Sequence, residues 1–167
     1  MTRPSFLAGH NVTAQDYLDA FPLVGASTVD QVVTNSITLV DAVGLSVPLA
    51  AATYYHFRAV LWYAVNAAND LKVGRDGTAT YTSIIWTMQS IPNGGTNGQW
   101  FSLANTSTAS TWIAEGQGVA QPALAIVEGD CLVNAGGTLT IQFAENVAGA
   151  ASTCTLLAMS NLQALKM

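Results

Sequence analysis

The side chains in this chain that could do chemistry are few and scattered. His10 and His56 lie in different segments, and neither has a carboxylate or thiol at metal-ligand spacing. Cys131 and Cys154 sit far apart, each inside an apolar strand candidate and without CxxC spacing. That pattern predicts buried free thiols, with a bridge open only if their strands are neighbours. The chain contains no GxSxG elbow, HExxH pair, phosphate-cradling glycine loop or dinucleotide fingerprint. Paired carboxylates are the remaining enzymatic option, because a glycosidase needs two of them facing across a groove. Asp70 and Asp76 flank one expected hairpin, while Glu115, Glu128 and Asp130 fall near a long loop or on the strand after it. With only ten acids, most beside turns, solvated turn positions are the expectation. The residues therefore predict no catalytic site, no cofactor and no metal.

Composition narrows the function further. A chain of 167 residues is long enough for one core without a metal or disulfide staple. Hydrophobic residues make up 50% and charged residues 9%, and Thr, Ser, Asn, Gln and Gly stand where charge is usual. Such a surface is wettable yet cheap to desolvate, which suits packing against copies of itself or a larger assembly; strand propensity alone would also favour the threonines. The net charge is −5, with Arg3, Arg58, Lys72, Arg75 and Lys166 the only basic residues. That argues against nucleic acid and against an anionic membrane surface. The opening MTRPSFLAGH lacks the apolar run of a signal peptide, and no stretch approaches a membrane-spanning helix, so synthesis and first folding are expected in a cytoplasm.

The elements that must position these residues read as strand after strand. The central one is expected at Thr53 to Val65. There Thr53, Tyr55, Phe57, Ala59, Leu61, Tyr63 and Val65 share one almost wholly apolar face, and Tyr54, His56, Arg58, Val60, Trp62 and Ala64 share the other. Before it, strands are expected at Gln31 to Val40 and Leu45 to Leu49, joined through Asp41-Ala42-Val43-Gly44, with Pro48 marking the second as an edge or a start. After it come Asp70 to Val73, a tight hairpin at Gly74-Arg75-Asp76-Gly77, and a returning strand at Thr78 to Met88. Residues 89 to 121 form a long excursion with one short strand at Gln99 to Leu103. Its Trp100, Phe101 and Trp112 belong on a core edge or a subunit interface, the interface being preferred. The last third reads as Ala123 to Val133, kinked at Gly129, a turn at Asn134 to Gly137, then Thr138 to Ala144 with Leu139, Ile141 and Phe143 facing in, and a final strand at Ser152 to Leu162. Together this predicts an all-β, antiparallel, jelly-roll-like β-sandwich of about eight strands over residues 26–167.

Residues 1–25 differ in kind. Thr13-Ala14-Gln15-Asp16 has the form of a capping box, with Val12 and Tyr17 placed for a hydrophobic staple. A helix over roughly 14 to 20, ended by Phe21-Pro22, would need to dock through Tyr17, Leu18 and Phe21, because a helix so short is unstable alone. It could dock on its own sandwich or on another protein.

Three segments together resemble a family of small bacteriophage virion proteins, found as head decoration proteins and as heads of tail-tip or fibre proteins. They are the leader Phe6-Leu7-Ala8-Gly9 with Val12-Thr13-Ala14-Gln15-Asp16, the middle Tyr55 to Leu61 with Asp70 to Val73, and the closing Gly137 to Asn146. Residues 89 to 121 have no counterpart, and after Asp16 the chain runs Tyr17-Leu18-Asp19 where many relatives have Leu-Asn. The resemblance implies a non-enzymatic homotrimer on the capsid exterior. An attachment arm carrying Phe6, Val12, Thr13, Asp16, Tyr17, Leu18 and Phe21 would meet the major capsid protein, and Tyr54, Trp62, Trp100, Phe101 and Trp112 would fall at the oligomer interface. A tail-tip or fibre protein that stacks host sugars on Trp100, Phe101 and Trp112 is the alternative.

Overall fold

The structure is a computed structural model that describes residues 21–90, 101–105, 111–149 and 152–167, with backbone only at 101–105. Twelve strands carry the described chain: β1 Leu23–Ala26, β2 Gln31–Thr34, β3 Val40–Leu49, β4 Tyr54–Val65, β5 Leu71–Asp76, β6 Thr80–Ser90, β7 Phe101–Asn105, β8 Trp112–Ala114, β9 Ala123–Ala135, β10 Gly137–Glu145, β11 Thr153–Leu156 and β12 Asn161–Lys166. They form two antiparallel sheets. One has the order β1-β12-β4-β9-β6-β7, with β11 pairing β4 and β2; the other runs β3-β10-β5-β8. No helix occurs among the described residues. The expected helix over 14 to 20 lies outside them.

β4 is the spine, as its alternation predicts. Tyr55, Phe57, Ala59, Leu61, Tyr63 and Val65 are buried between the sheets, while Tyr54, Arg58 and Trp62 are exposed. On one side β4 pairs with β9 in a single unbroken register from Tyr54↔Leu132 to Tyr63↔Ala123. On the other it pairs first with β12 and then with β11. Leu45, Val47, Leu71, Val73, Leu139, Ile141 and Phe143 close the core from the second sheet.

The pairing is nested. β6 pairs β7, β5 pairs β8, β4 pairs β9 and β3 pairs β10, so β3 to β10 form one doubled ribbon. The ribbon is wound so that β10 also meets β5 and β9 also meets β6. Among the described strands, only β6 and β7 are both consecutive and paired.

That winding corrects several expectations. Asp76-Gly77 and Gly136-Gly137 are not hairpin turns: β5 and β6 lie in different sheets, as do β9 and β10, so both are corners. Gly77 is required at its corner, since φ is +121° and a Cβ there would meet the Thr138 carbonyl oxygen at 2.1 Å. Gln31 to Val40 is not one strand, because the chain leaves β2 at Asn35, which has φ +48°, and starts β3 at Val40. β3 then runs through the expected turn at Asp41 to Gly44, taking up one irregularity opposite Thr140 and Gln142. Pro48 does sit on an edge strand. Gly129 causes no break in the β4–β9 register; its missing side chain leaves room for the Phe57 ring directly opposite. Ser152 to Leu162 is two strands around a turn closed by Ser160, whose hydroxyl donates to the Leu157 carbonyl. Among the described residues the first strand is β1, which pairs Leu23 to Ala26 with β12.

Candidate interaction face

The two sheets turn different faces outward. On the four-stranded sheet the outer positions of β10 and β3 are Thr138, Thr140, Gln142, Asp41 and Ser46. Gln142 donates to the carboxylates of Asp41 (2.9 Å) and Asp76 (3.2 Å), and Ser46 and Thr140 share a hydrogen bond of 2.9 Å. The segment between β2 and β3 folds over part of this face. Leu39 covers Gly74, and Lys72 Nζ donates to the Ile37 carbonyl.

The outer face of the larger sheet is built by β4 and its neighbours. Because antiparallel registers place partners directly opposite, the outward residues of β4 meet those of β9 in rows: Tyr54 with Leu132, His56 with Asp130, Arg58 with Glu128, Val60 with Ile126 and Trp62 with Leu124. One of these rows is an ion pair and another a histidine–carboxylate hydrogen bond. His56 Nδ1 lies 2.9 Å from Asp130 Oδ1, and Arg58 Nε lies 3.3 Å from Glu128 Oε1. Gln163 and Leu165 of β12 extend these rows on one side, and Thr87 and Ile85 of β6 on the other. With Pro22, the residues His56, Arg58, Gln163 and Leu165 line a shallow cleft. Trp62 is 37% exposed and Tyr54 57%. The Trp62 backbone is clamped, its N–H donating to Ser160 Oγ (3.0 Å) and its carbonyl accepting from the Leu157 N–H (2.8 Å).

Of the residues expected at an oligomer interface, the structure brings Tyr54 and Trp62 onto this one face. Phe101 starts β7 at the edge of the same sheet, and Trp100 lies outside the described residues. Trp112 is a correction. It is 8% exposed, with its ring edge-on to Trp86 at a centroid distance of 5.9 Å, so it fills the core of its own chain. Of the expected attachment residues, Phe6, Val12, Thr13, Asp16, Tyr17 and Leu18 lie outside the described residues. Phe21 is 53% exposed.

The candidate chemical groups separate rather than converge. Glu128 and Asp130 occupy the outer face of a strand, Glu128 beside Arg58 and Asp130 beside His56, instead of solvated turns. Asp70 accepts the Gly116 N–H at 3.1 Å. No group of three or more potential metal ligands occurs among the described residues. Both thiols are buried and free. Burial pushes Cys131 up to about 11, with Arg75 pulling the other way, and burial with Glu145 nearby pushes Cys154 up to about 12. Neither is a nucleophile at neutral pH.

Sequence reasoning missed two charged side chains, one half-buried and one fully buried. Arg75 projects into the sandwich, its guanidinium 5.0 Å from the centroid of the Tyr81 ring, and burial lowers its pKa. Glu145 is fully buried and accepts from the Asn35 N–H (3.2 Å) and from Ser152 Oγ (2.7 Å), joining the ends of β2, β10 and β11. Arg75 falls on the inward parity of β5, between Val73 and the corner. That alternation was the available signal.

No protein-family model matches the chain, and no curated protein matches it significantly. Among solved structures, Eiger TNF from S. frugiperda is similar at 13% identity and a TM-score of 0.34, over 88% of this chain and 93% of that one. A structure of the infectious bursal disease virus Gx strain is similar at 15% identity and TM-score 0.22, over 88% of this chain and 40% of that one. The VP2 subviral particle of the same virus gives 13% identity and TM-score 0.22, over 88% and 41%. Likenesses at these scores do not establish a shared fold.

Proposed function

We propose that this chain is a bacteriophage virion structural protein, a capsid decoration protein whose copies trimerise and bind the major capsid protein through the N-terminal arm. The observation that carries the reading is the doubled ribbon of β3 to β10 wound into two antiparallel sheets. We read this winding as jelly-roll-like, an architecture used by viral capsid and lectin domains. The support is an analogy of architecture, joined to the leader and strand segments that resemble small phage virion proteins. Many copies, each burying a modest area, would hold a shell through multivalency rather than through one tight contact.

Copy number tests this directly. Quantitative mass spectrometry of purified particles is expected to give hundreds of copies per particle, scaling with the major capsid protein. A handful of copies would move the protein to the tail and favour the receptor-binding alternative. That alternative now lacks Trp112, which the core occupies. Deleting residues 1–20, which spares β1, is expected to leave folded protein that no longer decorates capsids; normal decoration by the truncated chain would sink the arm assignment.

A further inference from the structure

We propose that Gln31 is an edge guard: its side-chain amide takes up the main-chain hydrogen-bonding groups of Val43 and so keeps the outer edge of β3 from adding a strand of a second copy. The proposal does not depend on the virion reading, because any two copies of this chain present the same edge to each other. β3 ends the order β3-β10-β5-β8, so one of its sides has no strand partner within its sheet. Such a side carries a row of N–H and C=O groups that a strand of another chain can join. Three features close it here.

At Val43 the closing group is an amide. The Val43 N–H donates to Gln31 Oε1 at 2.7 Å, and Gln31 Nε2 donates to the Val43 carbonyl at 3.0 Å. One primary amide thus returns the acceptor and the donor that a residue of a paired strand would offer. A third bond fixes its orientation. Nε2 also donates to Ser27 Oγ at 2.8 Å, and the Ser27 hydroxyl gives its own proton to the Val29 carbonyl at 2.9 Å. Turned over, the amide would set Nε2 against the Val43 N–H and Oε1 against two acceptors, so only one orientation satisfies every group. Gln31 can reach these groups because β10 does not use them. The β3–β10 register pairs Ser46 with Thr140 and Asp41 with Gln142, and residues 42–45 stand outside the ladder.

The rest of the edge is closed by backbone. Gly25 of β1 approaches so closely that a Cβ on it would lie 2.6 Å from the Gly44 carbonyl oxygen and 2.8 Å from that of Ser46. No further strand fits between them. Pro48 has no N–H to offer. Gln31 is the one side chain among the three features, and it guards the stretch from Val40 to Val43, where the two valines are 41% and 67% exposed. Exposed β-branched residues on an unpaired edge favour strand addition. A bond that merely tied β2 to β3 would alter melting and leave association untouched, which separates the two roles.

Hydrogen exchange and sedimentation of the full chain test this. In the parent the Val43 amide is expected to be protected although the residue is largely exposed, and Gln31→Ala should speed its exchange about ten-fold. In sedimentation Gln31→Ala is expected to form species larger than the parent's that grow with concentration. Adding Val43→Pro, which withdraws the N–H a joining strand needs, should return the variant to the parent's sedimentation. Exchange at Val43 in the parent needs no variant, so it decides the matter even where a variant misfolds. An unprotected Val43 in the parent, a Gln31→Ala chain that sediments like the parent, or association that persists with Val43→Pro would each overturn the assignment. None of these outcomes bears on copy number in particles, which judges the virion reading separately.

Discussion

Three residues show how single side chains and their absence set this fold. Glu145 holds three chain segments together from a fully buried position, and its carboxylate is the acceptor for both the Asn35 N–H and the Ser152 hydroxyl. Replacing Glu145 with Ala empties a fully buried acceptor site, although the Asn35 N–H keeps the Ser152 carbonyl at 3.3 Å and the Ser152 hydroxyl keeps the Gly149 carbonyl at 2.7 Å, and a loss of about 1–2 kcal/mol in denaturant unfolding is expected; Glu145→Gln, which keeps one acceptor oxygen, should lose less than half of that. Gly129 is the converse case. A methyl group there would stand 2.5 Å from the Ile85 carbonyl oxygen, 2.6 Å from Phe57 Cζ and 2.7 Å from Trp86 Cβ. Two of these neighbours are backbone or Cβ and cannot swing away, so Gly129→Ala is expected to destabilise by about 2–3 kcal/mol in the same assay. The thiols give a pH dependence. Cys131 and Cys154 have folded pKa values pushed to about 11 and about 12, above the unfolded value of roughly 8.5. Between these values the unfolded chain has released protons that the folded chain still holds. Their contribution is complete below the unfolded pKa and is lost as pH rises through the folded ones. Unfolding free energy should therefore fall as pH rises above about 8.5, and Cys131→Ala with Cys154→Ala should flatten that slope; an unchanged slope would remove the thiols as its cause.

At the level of elements, the central and closing strands were readable in the sequence, whereas β1, β8, the breaks after β2 and β11, and the strand partners were not. The alternation across Tyr54–Val65 and across Leu139, Ile141 and Phe143 shows burial directly, because half-buried strands sort side chains by parity. Turn chemistry misled at Asp76-Gly77 and Gly136-Gly137. Glycine there reports that the backbone must reverse or approach closely, which a corner between sheets demands as much as a hairpin does. Pairing is decided by residues far away in sequence, as when β3 meets β10 and β4 meets β9. The candidate face was half legible. Parity put Tyr54, His56, Arg58 and Trp62 together, but Glu128 and Asp130 joined them only through the β4–β9 register. Trp112 was misplaced because its neighbour Trp86, 5.9 Å away in the core, lies on a strand from which a long excursion separates it. β1 gives an element-scale prediction. Deleting residues 1–20 should leave the melting temperature unchanged, whereas deleting 1–26 removes Leu23 and the Gly25 backbone that packs on Gly44 and Ser46, and should lower it by several degrees or more. Equal melting temperatures would mean that β1 adds nothing to the sandwich.

For the molecule as a whole, stability should be graded outward from β4. β4 has a partner along both sides, β9 on one and β12 followed by β11 on the other, and its inner face contributes Phe57, Ala59, Leu61, Tyr63 and Val65 to the core at 1% exposure or less. Its amide hydrogen bonds cannot open without parting the larger sheet and uncovering that core. β1 pairs only with β12 and β2 only with β11, and both carry exposed valines, Val24 and Val32. Either can open by breaking one short ladder and a few contacts, Leu23 and Gly25 for β1 and Val33 with the Gln31–Val43 bonds for β2, without parting β4 from its neighbours. Native-state hydrogen exchange is therefore expected to resolve two classes. Amides in the middle of β4 should exchange only through global unfolding, with the free energy measured in denaturant, and those of β1 and β2 through cheaper local opening. The nesting sharpens the expectation, because loosening β3 or β10 requires unwinding a ribbon whose other half runs through β4 and β9. Protection in β2 equal to that of β4 would show that the whole sandwich opens as one unit.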